Sequence, residues 1–234
     1  MSDKPEHKLF IIHLFTALGA PLALLALIEG AQGDLGMMFL WLAVSLFVDG
    51  VDGPLARRFQ IQTRLPRWSG AILDLVIDYS TYVFLPAFAL YQSGLLSNFW
   101  ALASGSIIVF TGAIYFADTD MKCDTGHFSG FPGVWNMVIV ALIAIQADPW
   151  LILAMVALCT VLTFLPIYFV HPVRTKQWRL LTLVVLAVWT GAIAWSVILN
   201  FQVDTILTAV ITATSLYLLC VGAVQQLLAK LAPS

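Results

Sequence analysis

Residues 45–58 read SLFVDGVDGPLARR and residues 70–79 read GAILDLVIDY. In each stretch two aspartates interrupt an apolar run: Asp49 and Asp52 lie three positions apart, Asp74 and Asp78 four. Either interval brings a side chain back to nearly the same face of an α-helix. Each stretch is therefore read as a helix with two carboxylates on one side, and whether those helices sit in water or in lipid decides the fold.

The surrounding chain places them in lipid. Of 234 residues, 61% are hydrophobic and 10% charged, against averages of about 45–50% and 25% for soluble domains. A transmembrane helix needs roughly 20 apolar residues. Breaking the sequence at its polar and Gly/Pro interruptions gives eight apolar segments, near 9–28, 36–57, 70–92, 98–117, 131–147, 150–170, 179–199 and 205–228. The fifth is the shortest. The expected fold is an all-α polytopic membrane protein of about eight transmembrane helices, in a single domain over 1–234. The polar start MSDKPEHK precedes an apolar stretch with no small-residue cleavage site, so the first segment is expected to be a retained span rather than a removable signal.

Positive charge orients the spans. Lys4 and Lys8 precede the first; Arg57, Arg58, Arg64 and Arg67 join the second to the third; Lys122 lies between the fourth and fifth; Arg174, Lys176 and Arg179 lie between the sixth and seventh; Lys230 follows the eighth. Those are all 11 basic residues, and all fall on one side. The opposite loops carry only Glu29, Asp34, Asp148 and Asp204 as charged residues. Both termini are expected in the cytoplasm. A count of six spans would scatter these charges. The net charge of −2 is too small to imply a nucleic-acid partner.

Outside the two aspartate stretches little suggests chemistry. Cys123, Cys159 and Cys220 lack paired spacing and read as small apolar fillers. His7, His13, His127 and His171 lack ligand spacing and read as interfacial or packing residues. No internal repeat is evident, and the stretch from Asp118 to Gly130 lacks an EF-hand pattern and reads as a solvated loop.

Nine of the 13 acidic residues lie in loops or termini where water solvates them. The other four sit at the cytoplasmic ends of the second and third spans, which run antiparallel, so Asp49, Asp52, Asp74 and Asp78 can meet at one depth. A charged side chain costs about 2.5–3.5 kcal/mol at the bilayer centre on the insertion scale, and less near the interface. Arg57 can neutralise one of the four. A hard divalent cation binding oxygen ligands would neutralise all of them and would account for carboxylates rather than His or Cys; magnesium or manganese fits better than zinc. The competing readings are helix caps or salt bridges to the Arg57–Arg67 loop, and a cation-coupled transporter, whose acids belong near the bilayer midplane at a repeat interface. Gly50, Gly53 and Ala56 on the second span and Gly70 and Ala71 on the third leave backbone open for a bulky group or for tight helix packing. Pro54 removes the N–H that would bond the Gly50 carbonyl.

Taken together, Asp49-x-x-Asp52-Gly53-x-x-Ala56-Arg57, twelve residues, then Gly70-x-x-x-Asp74-x-x-x-Asp78 resembles the signature of the CDP-alcohol phosphotransferase family at every defined position. The twelve-residue gap, RFQIQTRLPRWS, is longer than the family's usual eight or nine, and it falls in a loop where length is tolerated. The resemblance implies a membrane enzyme that cleaves a CDP-linked donor, passes the phosphoalcohol to an acceptor hydroxyl and releases CMP. By position it assigns Asp49, Asp52 and Asp74 to a two-metal site, with Asp78 contacting metal and serving as the general base. Gly53, Ala56, Arg57 and Gly70 would line the nucleotide pocket. A homodimer in the bacterial inner membrane, with the active site facing the cytoplasm, is expected on the same ground.

The long gap with Pro66, the run Asp78-Tyr79-x-x-Tyr82-Val83, the segment Gly130-Phe131-Pro132-Gly133-Val134-Trp135-Asn136 and His171-Pro172-Val173-Arg174 are similar to a bacterial branch of the family. That branch implies CDP-diacylglycerol and free choline as substrates, with manganese or magnesium, and phosphatidylcholine and CMP as products; serine, inositol or glycerol phosphate are the alternative acceptors. A quaternary ammonium is recognised by aromatic faces. Tyr79, Tyr82, Tyr115, Phe116, Phe131 and Trp135 all map near cytoplasmic span ends, where an aromatic belt would also arise. Tyr79, Tyr82, Tyr115 and Trp135 are the candidate choline contacts.

Overall fold

The structure is a computed structural model and describes residues 6–118 and 126–231. Lys4, Lys122, Cys123 and most of the loop between Asp118 and Gly130 lie outside the described residues.

Helices α1 (Glu6–Ala17) and α2 (Gly19–Ala31) form the first rod, interrupted at Leu18. It returns through α3 (Leu35–Phe59), ended by Gln60 in the left-handed region at φ 52°. After the single turn α4 (Ile61–Arg64) the third rod runs from α5 (Gly70–Asp78) through a π-helical turn (Tyr79–Phe84) into α6 (Leu85–Gln92), and α7 (Asn98–Ala117) completes the first half. Strand β1 (His127–Ser129), helices α8 (Trp135–Ala144) and α9 (Pro149–Thr163), and strand β2 (Tyr168–Val170) precede the last two rods, α10 (Arg179–Ile198) and α11 (Thr205–Leu231).

Among the described residues, six helical stretches are long and apolar enough to cross a bilayer: Leu9–Ala31, Leu35–Phe59, Gly70–Gln92, Asn98–Ala117, Arg179–Ile198 and Thr205–Leu231. The expected count of eight is not confirmed, because the fifth and sixth segments carry helices of only 10 and 15 residues. At 1.5 Å per residue these reach about 15 and 22 Å, short of a hydrocarbon core of about 30 Å. Apolar composition overstated their helical length. Gly130 and Gly133, at φ +79° and +66°, hold Phe131 and Pro132 in a loop, and Pro166 closes α9 so that the apolar residues after it form β2.

A two-stranded antiparallel ribbon, with Phe128 opposite Phe169, ties the start of this short helical pair to its end. The pair leaves and rejoins the bundle at one face, so the flanking basic residues share a side. Six long helices thus leave the charge segregation intact, which the argument from charge against six spans had not allowed for.

The acidic loops at the other end have a local purpose. Asp34, Asp148 and Asp204 accept from the backbone N–H groups of Met37, Trp150 and Leu207 at 2.8, 2.9 and 2.7 Å. These are N-caps of α3, α9 and α11, helices that all begin at that end.

The bundle is packed around α8, where Val138 to Ala144 are all buried, as expected of a helix that is apolar all round. Apolar side chains also cover the outside: Phe47, Phe110, Leu180 and Ile206 are 68–78% exposed, a surface suited to acyl chains. Cys159 is buried filler, whereas Cys220 is exposed on α11.

Close backbone approach fixes α11 against the ribbon: a Cβ on Gly222 would run into the Tyr168 carbonyl. Substitution Gly222→Ala is expected to lower stability by about 1–3 kcal/mol, as overpacking does. Gly191→Ala, in open space on α10, should leave the melting temperature in detergent unchanged or slightly raised. Equal melting temperatures for the two variants would contradict this packing.

Candidate metal centre at the basic end of the bundle

Asp49 comes from α3, Asp74 and Asp78 from α5, and all three are partly buried. One carboxylate oxygen from each lies within 4.8 Å of the others. At that spacing each ionised pair repels by roughly 3–4 kcal/mol for an effective dielectric constant of about 20. Three oxygens converging without a soft ligand suit a hard divalent cation, so the donor set fits a metal.

Asp52 is not part of this trio. Three helical residues rotate a side chain by about 300°, which leaves Asp52 turned from Asp49 towards α1. There it is 5% exposed and sits beside the Thr16 hydroxyl, with Asp49 and Arg57 close enough to act on it electrostatically.

A tyrosine supports the trio. Tyr82 donates to Asp49 Oδ2 at 2.6 Å, a contact that fixes the carboxylate and leaves its other oxygen available. Tyr82 reaches Asp49 from the π-helical turn, where the Leu85 N–H bonds back to the Ser80 carbonyl, five residues away. Pro86 lacks the N–H that would bond the Tyr82 carbonyl, which favours such a turn. The Ser80 and Thr81 hydroxyls donate to the Val76 and Ile77 carbonyls at 2.8 and 3.0 Å, giving the loosened helix extra partners.

The four residues expected at a nucleotide pocket lie along α3 and α5 on the basic side of their aspartates. Arg57 is exposed and folds back along α3, so that a Cβ on Gly53 would meet its Nη1 at 3.2 Å. Ala56 packs against Leu9, Ile12, Ile61 and Leu65, the small cluster that ties α1 to the loop after α3. Gly70 begins α5, where Ser69 Oγ accepts from the Ile72 N–H at 3.2 Å. Around Gly50 there is open space.

The aromatic candidates divide. Tyr79 meets Phe116 edge-on at 6.2 Å and donates to the Val109 carbonyl at 3.0 Å. Tyr115, 4% exposed, meets Phe116 at 5.8 Å, and Gly133 packs against both Tyr115 and Phe116. Tyr79, Phe116 and Tyr115 thus form one continuous wall. Tyr82 is engaged with Asp49, and Trp135 is 1% exposed, edge-on to Phe131 at 5.1 Å.

Two polar residues on α1 border the site: His13, read in the sequence as interfacial or packing, and Thr16, which the sequence did not single out. His13 lies against Gly70 and Thr16 beside Asp52. A signal for them existed: His13 is an ionisable residue inside the first span, and the cost that singles out the aspartates applies to it as well.

Fold and site together define a polytopic helical membrane protein with a carboxylate cluster, suited to a hard cation, where its first three rods meet. No family model matches the chain. It is 46% identical over 226 residues to the phosphatidylcholine synthase of Rhizobium meliloti, covering 97% of this chain and 94% of that protein. Identity to the phosphatidylcholine synthase of Brucella melitensis is 44% over 231 residues, 97% of this chain and 82% of the relative. For that of Pseudomonas aeruginosa it is 38% over 189 residues, 81% and 79%. The chain belongs to the phosphatidylcholine synthase family.

If the trio is a cation site supported by Tyr82, manganese binding to the purified protein, followed by electron paramagnetic resonance, should weaken about 10–100-fold in Tyr82→Phe. It should be lost in Asp74→Asn. Unchanged binding in both variants would show that the cation sits elsewhere.

Proposed function

We propose that this enzyme transfers the phosphatidyl group of CDP-diacylglycerol to the hydroxyl of free choline, giving phosphatidylcholine and CMP. The observation that carries the reading is the convergence of Asp49, Asp74 and Asp78 in a chain of this family. A phosphoryl donor with two linked phosphates brings the anionic oxygens that such a cluster can hold through divalent cations.

The reaction balances on residues already described. The choline oxygen forms a new bond to the phosphorus of the phosphatidyl group, the pyrophosphate P–O bond to CMP breaks, and CMP leaves with the bridging oxygen. Asp78, whose carboxylate belongs to the cluster, accepts the choline proton as general base. Magnesium or manganese, as one ion or a pair, would neutralise the donor phosphates and the departing CMP. Asp49 and Asp74 would hold it from one side, with Asp52 contributing from the α1 side. Gly53, Ala56, Arg57 and Gly70 would line the nucleotide's side of the site, next to the open space around Gly50. For choline, the wall of Tyr79, Phe116 and Tyr115 supplies aromatic faces one residue beyond Asp78.

The segregation of Lys and Arg supports a bacterial inner-membrane protein whose active site faces the cytoplasm, where CDP-activated precursors and choline would reach it. A homodimer is part of the same reading.

Incubating the purified protein with CDP-diacylglycerol, choline and manganese should yield phosphatidylcholine and CMP in equal amounts. Chelation with EDTA should abolish both. Loss of a general base costs about 10²–10⁴-fold, so Asp78→Asn should fall in that range. Lipid product formed equally well from serine, inositol or glycerol phosphate would overturn the acceptor, and CMP release at the wild-type rate in Asp78→Asn would overturn the base.

A further inference from the structure

The second half of the bundle encloses a space that the chemistry above does not use. Helix α9 packs against α7, whereas α10 and α11 pack against each other and against α8. Among these helices lies a cavity of about 200 Å³, lined by Met137, Val138, Ala141, Leu142 and Ile145 of α8 and reaching Phe128 of the ribbon. Protein interiors are close-packed, and voids larger than a water molecule are few. A cavity of this size in a bundle otherwise built around α8 calls for an occupant.

The lining excludes water. A buried water needs two to four polar partners, but Trp189 Nε1 in the wall already donates to Ser215 Oγ at 2.9 Å, and Thr212 is exposed on α11. An apolar cavity of about 150 Å³ stays dry and takes up apolar guests. Depth and access narrow the guest further. From Val134 to Ile145 the lining rises about 16 Å at 1.5 Å per residue, roughly half of a hydrocarbon core of about 30 Å, so the cavity has the depth of one leaflet. Leu151 on α9 and Leu216 on α11 also line it and are 44% and 55% exposed. The cavity therefore opens through the apolar outer surface of the bundle, where acyl chains are the solvent.

We propose that this cavity holds one acyl chain of a resident bilayer phospholipid, distinct from the lipid consumed at the cluster. The five lining residues of α8 recur at intervals of three and four and so share one face of that helix. The opposite face, with Ile139 and Ile143, is left for α6 and the π-helical turn, which α8 also meets. The cavity thus lies across α8 from the turn that carries Tyr82 to Asp49. A donor whose phosphates are held at Asp49, Asp74 and Asp78 would place its chains on the cluster's side of α8. The resident chain has a structural consequence for the site as well. Phe131 and Pro132 line the cavity while Gly133 lies against Tyr115 and Phe116, so the chain backs the loop that meets the aromatic wall.

The test uses the full chain in vesicles of phosphatidylethanolamine and phosphatidylglycerol that contain a trace of phosphatidylethanolamine with a diazirine at mid-chain. After irradiation, mass spectrometry locates the label. Val138 to Ala144 are all buried, so lipid outside the bundle cannot reach α8, whereas Phe110 on α7, 68% exposed, reports ordinary contact with the bilayer. Wild type should be labelled on both helices. Ala141→Phe, which fills the cavity, and Leu216→Trp, which narrows its opening, should lose the label on α8 and keep it on α7. Manganese binding as in wild type would show that the variants are folded, and Leu216→Trp, at an exposed position, carries the test if Ala141→Phe is not. An excess of CDP-diacylglycerol should leave the label on α8 unchanged. Wild type labelled on α7 but not on α8, or both variants labelled on α8 at the wild-type level, would overturn the site. Displacement of the label by CDP-diacylglycerol would show that the chain is the donor's and overturn the resident lipid.

Discussion

Three carboxylates within 4.8 Å of one another at the end of a lipid-facing bundle are the constraint on which the remaining structure depends. Mutual repulsion and incomplete hydration both work against such a cluster, so it persists only with rigid supports and a compensating positive charge. Much of the unusual geometry of the chain lies within reach of this demand. Tyr82 donates to Asp49 from a π-helical turn, Pro54 loosens α3 between its aspartates and Arg57, and α1 closes over Asp52 with Thr16.

The rest of the molecule holds these elements in register. Gly19 at the junction of α1 and α2 lies against Ile77 and Ser45, which sets the depth of α1 relative to both aspartate-bearing helices. The buried helix α8 packs on α6 and the π-helical turn from the other side. The ribbon returns the α8–α9 pair to the face where the cluster lies, and the loop from Gly130 to Gly133 meets the aromatic wall beside Tyr79. A short helical pair therefore serves as an internal buttress for the site.

Much of this was legible in residues 45–58 and 70–79. The intervals between aspartates, the small residues around them and the one-sided distribution of Lys and Arg led to antiparallel helices with converging carboxylates and to the chemistry of a CDP-linked donor. Three features were not legible, each for a physical reason. Apolar composition does not distinguish helix from loop, so the Phe131–Pro132 and Pro166–Val170 stretches were counted into spans that the backbone does not build. Intervals of three and four residues were treated as equivalent, although the smaller leaves Asp52 rotated towards α1. Tyr82 and His13 make their contacts across helices, 33 residues from Asp49 in one case and against Gly70 in the other, and no local pattern encodes such contacts. The paired signals, Pro86 for the π-helical turn and an ionisable residue inside the first span, were present, the first unread and the second read as interfacial or packing.

The claim at the centre of this account is that Asp49, Asp74 and Asp78 share a cation. An experimental structure of the manganese-loaded protein, with anomalous scattering recorded at the manganese edge, tests it most directly. The account predicts an anomalous peak between these three carboxylates, at about 2.0–2.6 Å from their oxygens, the distances typical of hard divalent cations. A fully loaded protein with no peak there, or with its peak elsewhere in the bundle, would contradict it.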